Sequence, residues 1–190
     1  PYSFFNTDME TQLRREDLIE RELRSSLAQP NSGTLYLEYQ PIVDLKTNKI
    51  VAFEALARMS SEKLGFVSPV EFISIAERKQ LIVDLGDWVL RTACQFAHKL
   101  SSAGYDNLRV AVNISVTEIL QQDFFEKIRR IVEDSGVTPA SLELEITESV
   151  IMYDFEEVNS TFQRLRELGV KIALDDFGTG YSSFARIEEL

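Results

Sequence analysis

An alternation of short apolar runs with longer segments of helical spacing restricts the fold of this chain more than any other feature. Residues 50–58, 109–114, 142–146 and 171–176 read as strands, each closing near an acid or an amide. Strand and helix in alternation need a parallel sheet with the helices outside it. Residues 35–43 form a further strand-like run, joined to 50–58 by the polar turn DLKTNK, so these two predict an antiparallel hairpin. If Asp44 pairs with Ile50, Gln40 stands opposite Glu54, a polar pair inside two apolar strands. The order fits best an α/β fold of the modified TIM type, a β/α barrel with an antiparallel first strand; an open α/β sheet is the second choice.

The segments between strands carry their own boundaries. Residues 7–27 place Leu13, Leu18, Ile19, Leu23 and Leu27 on a narrow stripe. This lead-in helix (1–33) either packs on the following domain (34–190) or connects it to an upstream signalling module, with a homodimer contact as a variant; the connector is favoured. QPNSG at 29–33 breaks it. Ser68-Pro69-Val70-Glu71 reads as a capping box opening a helix through Arg78. Asp84 or Asp87 opens the next, with Trp88, Val89, Ala93, Phe96, Ala97 and Leu100 as its inner face. Asp123 with Glu126 starts a helix that stops at Gly136, and Asp154 with Glu157 one that stops at Gly169. Cys94 and His98 lack companions at ligand spacing and read as packing residues, not zinc ligands.

Composition removes some function classes. A chain of 190 residues with 44% apolar content supports one domain with a sizeable core, and its net charge of -11 disfavours a nucleic acid polymer as partner. The single cysteine gives no disulfide, so a cytoplasmic location is expected. No apolar run is long enough to span a bilayer, so this segment predicts no membrane contact, although a longer parent could be anchored.

Glu54, Asn113, Glu145 and Asp175 fall at or near the C-terminal ends of four different strands, the catalytic rim of a β/α barrel. Two residues earlier stand Ala52, Ala111, Glu143 and Ala173, so small side chains lie beneath most of the polar ones. The same parity turns Arg109 and Lys171 inward, and Glu143 is expected to pair with one of them. Three carboxylates and an amide are hard oxygen ligands, suited to Mg²⁺ or Mn²⁺, and Asp176 could bridge to a second ion. Two such ions serve phosphodiester hydrolysis. The alternative is that these acids form ion pairs at the sheet end.

The motifs that carry these residues are similar to those of a known family. YQPIV around Gln40, Glu54-Ala55-Leu56 followed by Arg58, VNIS around Asn113, LEITES around Glu145 and Glu148, and DDFGTGYSS from Asp175 occur in that order. The sequence resembles the EAL domain of bacterial cyclic di-GMP phosphodiesterases, from Leu35 to the last residue. The resemblance implies that Glu54, Asn113, Glu145 and Asp175 hold one metal and that Asp176 serves a second. It implies that Glu148 latches the loop after Asp176, and that Gln40 and Arg58 contact the dinucleotide, the arginine through phosphate. The product would be linear pGpG. Met59-Ser60 departs from the tryptophan often found after the arginine, which would alter guanine or loop packing. The family continues with a strand bearing a catalytic lysine, and 34–190 is well short of the roughly 250 residues of a complete barrel. The expectation is a barrel incomplete at its C-terminal end, with poor turnover and a mobile or rearranged loop from Phe177 onward. The competing function is a noncatalytic cyclic di-GMP sensor or interaction module, whose mark would be a lost ligand; every ligand in the matched region is present.

Overall fold

A computed structural model describes residues 7–29, 32–147 and 155–175. Helix α1 (Thr7–Ala28) is followed by strands β1 (Leu35–Asp44), β2 (Lys49–Ser61) and β3 (Gly65–Val67), then by α2 (Pro69–Arg78) and α3 (Ile82–Ser102). After these come β4 (Arg109–Ile114), α4 (Val116–Ile119), α5 (Phe124–Ser135), β5 (Leu142–Thr147), α6 (Phe155–Leu168) and β6 (Lys171–Asp175). The strand order is β1-β2-β4-β5-β6, with β3 added to β2. β2, β4, β5 and β6 run parallel. β1 neighbours β2 across so short a turn that it must run antiparallel. The described strands thus form a mixed α/β sheet in which an antiparallel first strand precedes four parallel ones.

Asp44 builds the β1–β2 turn. Its carboxylate accepts the backbone N–H of Lys46 at 3.0 Å and of Thr47 at 2.7 Å, together with the Thr47 hydroxyl at 2.8 Å. These bonds hold the Asp44 carboxyl below its usual range. Asn48 closes the turn at φ 52°, a left-handed conformation that asparagine tolerates. Farther along, Ser60 N–H donates to the Thr34 carbonyl at 2.9 Å, the pairing that a register with Gln40 opposite Glu54 extends to.

The described residues divide into two compact units. One comprises the chain up to Glu38 with Ala57–Trp88, the other Tyr39–Leu56 with the chain from Val89 onward. In the first unit α1 packs on α2. Ile19 and Leu23 of α1 are fully buried, as are Phe72, Ile75 and Ala76 of α2, whereas Leu13 at the outer end of the stripe is half exposed. Ion pairs surround this contact: Arg15 to Glu71 at 2.6 Å, Arg78 to Glu16 at 3.1 Å and Lys79 to Glu20 at 2.8 Å. The capping box expected at Ser68 does not form. Ser68 makes no side-chain cap bond, and the Glu71 carboxylate that would accept the Ser68 N–H is held instead by both Nε and Nη2 of Arg15. Helix α3 starts before Asp84, since Leu81, Ile82 and Leu85 are all buried and anchor its first turn by packing.

In the second unit the sheet has an apolar face and a polar one. Val110, Val112, Ile114, Leu142, Leu144 and Ile146 are buried. So are Phe124, Ile128, Ile131 and Val132 of α5, and Val158, Phe162 and Leu165 of α6. Burying a side chain of this size contributes about 1.5–3 kcal/mol, so this layer carries most of the unit's stability. Tyr39 stacks on Phe96 at 3.7 Å between ring centroids, and Phe53 meets Phe96 edge-on at 5.7 Å. Burial pushes the Tyr39 hydroxyl up to about 12. With Tyr39 committed to this helix-covered side, strand alternation sends Gln40 to the other. Cys94 is buried, as expected of a packing residue, and its thiol is raised to about 11 by desolvation. No described helix is long and apolar enough to cross a membrane.

Candidate active site

The parallel register places the acids. Glu54 pairs with Ala111, Ala111 with Glu143, and Glu143 with Lys171. One step nearer the strand C-termini, Asn113 pairs with Glu145 and Glu145 with Ala173; one step beyond, Thr147 pairs with Asp175. In-register residues of a parallel sheet share a face, so Glu54, Asn113, Glu145 and Asp175 all belong to the face opposite the apolar core. They do not stand in one row. The set climbs a step from β2 to β4, holds level to β5 and climbs again to β6, the stagger that strand tilt gives a barrel-type sheet. Ala52 and Ala111 are buried below them, leaving space that larger side chains would fill.

Hydrogen bonds fix part of the set. Asn113 Nδ2 donates to Glu54 Oε1 at 2.9 Å, so the two ends of the first step are tied together. Below Glu145, Arg109 Nε donates to Glu143 Oε2 at 2.5 Å, with side chains only 26% and 15% exposed. The expected partner of Glu143 is therefore Arg109 and not the in-register Lys171, which is exposed. Among the described residues Glu54, Glu145 and Asp175 form no ion pair.

Glu145 shows what this arrangement costs. Burial, and then the like charges of Glu54, Asp175 and Glu143, raise its carboxyl to about 7. Divalent charge would relieve that repulsion, and the donors are oxygen, the type that Mg²⁺ and Mn²⁺ take. The described residues contain no group of three His, Cys, Asp or Glu side chains already drawn together as a ligand set. What they present is one sheet face that carries Glu54, Asn113, Glu145 and Asp175.

The end of β4 has a support that sequence reasoning overlooked. Ser115 caps α4: its hydroxyl accepts Glu118 N–H at 3.3 Å, while Glu118 Oε2 accepts Ser115 N–H at 3.0 Å and its hydroxyl at 2.6 Å. Glu118 is 5% exposed, and this reciprocal box pins the backbone immediately after Asn113. The signal was legible as Ser-x-x-Glu at 115–118.

The family profile described as EAL domain matches residues 20–190. The chain belongs to the EAL domain family. Among curated proteins it is 38% identical over 187 residues to cyclic di-GMP phosphodiesterase NbdA of Pseudomonas aeruginosa, covering 98% of this chain and 24% of that protein. Among solved structures it resembles the PaMucR phosphodiesterase in complex with c-di-GMP, with a TM-score of 0.85 and 32% identity over 91% of this chain and 69% of that one. The EAL enzyme Bd1971, in its cAMP- and cyclic-di-GMP-bound form, gives a TM-score of 0.83 at 27% identity, covering 97% of this chain and 49% of that one. The chain spans about a quarter of the length of the curated relative.

The Glu54-Ala55-Leu56 motif lies within the second unit. Arg58 belongs to the first, where Nε donates to Glu38 Oε2 at 2.7 Å and Nη1 to the Ala57 carbonyl at 3.1 Å. Glu38 as the partner of Arg58 was not anticipated; it precedes Gln40 by two residues and so shares its side of β1. Glu148, Asp176 and the loop 177–183 lie outside the described residues.

Proposed function

We propose that this EAL domain acts as a cyclic di-GMP-specific phosphodiesterase, hydrolysing cyclic di-GMP to linear pGpG with two divalent ions, Mg²⁺ or Mn²⁺. The observation that carries the reading is the face shared by Glu54, Asn113, Glu145 and Asp175, on which Glu145 is destabilised as an anion by burial and then by its acidic neighbours. These four residues would hold the first ion, and Asp176 would serve the second. When bound, such ions lower the pKa of water and neutralise charge developing on a phosphoryl group. The chain supplies the rest. Asn113 keeps the Glu54 carboxylate oriented through Nδ2, which leaves its own Oδ1 as a donor to the ion. Arg58 retains guanidinium N–H groups for a phosphate beyond those given to Glu38 and Ala57, and Gln40 contacts the dinucleotide. Glu148 couples ion binding to order in the loop after Asp176. We place the domain in the cytoplasm, downstream of a signalling module in a longer parent.

Calorimetric titration of Mn²⁺ into this chain, followed by turnover assays on the full-length parent, tests the reading. Saturable Mn²⁺ binding that is lost in E54Q, with metal-dependent release of pGpG by the parent, is expected. Cyclic di-GMP binding that ignores metal and yields no product would overturn it in favour of a sensor.

A further inference from the structure

The face that carries the acids continues below them, and there it changes character. Glu143 sits two residues before Glu145 on β5, a rise of about 6.5 Å, and points the same way. Its register neighbour on β4 is Ala111, whose methyl group offers it no polar partner. Arg109, a further step down β4, reaches diagonally upward and bonds it at 2.5 Å. Both side chains are mostly buried. A guanidinium this close to a cation site repels the cation unless its charge is cancelled. A carboxylate this close becomes an extra ligand unless it is occupied.

On the reading that Glu54, Asn113, Glu145 and Asp175 hold a divalent ion, we propose that Arg109 and Glu143 form a charge-balanced floor beneath that ion. Glu143 cancels the positive charge of Arg109, and Arg109 withholds Glu143 from the ligand set. Neither residue touches the reacting atoms; both are positioning residues. A merely structural ion pair would behave differently under substitution. If the pair only stiffened the sheet, any loss of Mn²⁺ affinity would follow the loss of urea midpoint from variant to variant. If it balances charge, the second removal must restore affinity, and the affinity lost in the single variant must exceed what its urea midpoint accounts for.

The test is Mn²⁺ affinity measured by calorimetry at pH 8 and low ionic strength, with circular dichroism and a urea midpoint for each variant as the check on folding. E143Q, nearly isosteric, leaves Arg109 uncompensated, and an uncancelled unit charge on the ligand face is expected to weaken Mn²⁺ binding by at least about tenfold. R109M/E143Q removes both charges and is expected to return to within about twofold of wild type. R109K, which keeps the charge, is expected to bind as wild type does. The floor is refuted if E143Q binds Mn²⁺ as tightly as wild type, or if the double variant is weaker still. Failure of the wild-type chain to bind Mn²⁺ saturably would instead sink the metal reading and the floor with it, and that result cannot be confused with normal wild-type binding and unresponsive variants.

Discussion

Substituting Glu145 by glutamine should stabilise the chain when divalent ions are withheld, and only on the alkaline side. In the folded chain Glu145 keeps its proton until about pH 7, against an ordinary value of 4.5. Between those two values the unfolded chain therefore binds fewer protons than the folded one, so stability falls as pH rises through that window. Below 4.5 both states are protonated and nothing is lost; above 7 the loss is complete. A displacement of this size would be worth about 3 kcal/mol if fully felt, but Glu145 is only partly buried, and solvent screening leaves about 1–2 kcal/mol. Glutamine keeps the shape and removes the charge. E145Q is then expected to unfold about 2–8 °C higher than wild type at pH 8 in chelator, and at nearly the same temperature at pH 4.5. Thermal unfolding followed by circular dichroism at the two pH values reads this directly. Equal increments at both pH values would refute the like-charge account, as would a destabilised E145Q at pH 8.

Other substitutions probe separate parts of the structure. Mn²⁺ at about a hundred times its dissociation constant should add about 2.7 kcal/mol to wild-type stability, and D175N should abolish most of that gain; an undiminished gain would remove Asp175 from the ligand set. S115A should cost about 1 kcal/mol in urea unfolding because its capping box is made, whereas S68A should cost a few tenths at most, because Ser68 makes no cap bond. Gly169 closes α6 at φ +102°, and a Cβ there would stand 3.4 Å from Pro139 Cβ. G169A should accordingly lower stability by about 1–3 kcal/mol, and a neutral result would show that the turn can relax.

The sequence was informative wherever a physical period was at stake. Alternation of residues along each strand placed Glu54, Asn113, Glu145 and Asp175 on one face, with Glu143 and Arg109 beneath, because side-chain direction in a strand follows from position alone. Gly136 and Gly169, at φ +66° and +102°, ended the helices they were expected to end, since left-handed backbone disfavours any side chain. Competition between partners was not legible in this way. Glu71 had a serine to cap and an arginine within reach, and charge-assisted bonds to Arg15 at 2.6 and 2.8 Å outweighed the neutral cap. Helix α3 began on buried Leu81 and Ile82 instead of on an aspartate, because burial of those two side chains outweighs a cap.

What the sequence determined by itself was the order of strands and helices, the polar face of the sheet and the residues on it, all consequences of local periodicity. What only the tertiary structure decided was which charges meet. Arg109 and Lys171 were equivalent candidates for Glu143 from their positions in sequence. The bond went to Arg109, with Lys171 left exposed, because one side chain reaches diagonally into the buried part of the face while the other stands beside solvent. The raised carboxyl of Glu145 has the same origin, since it depends on distances among side chains from three strands that no single stretch of sequence contains.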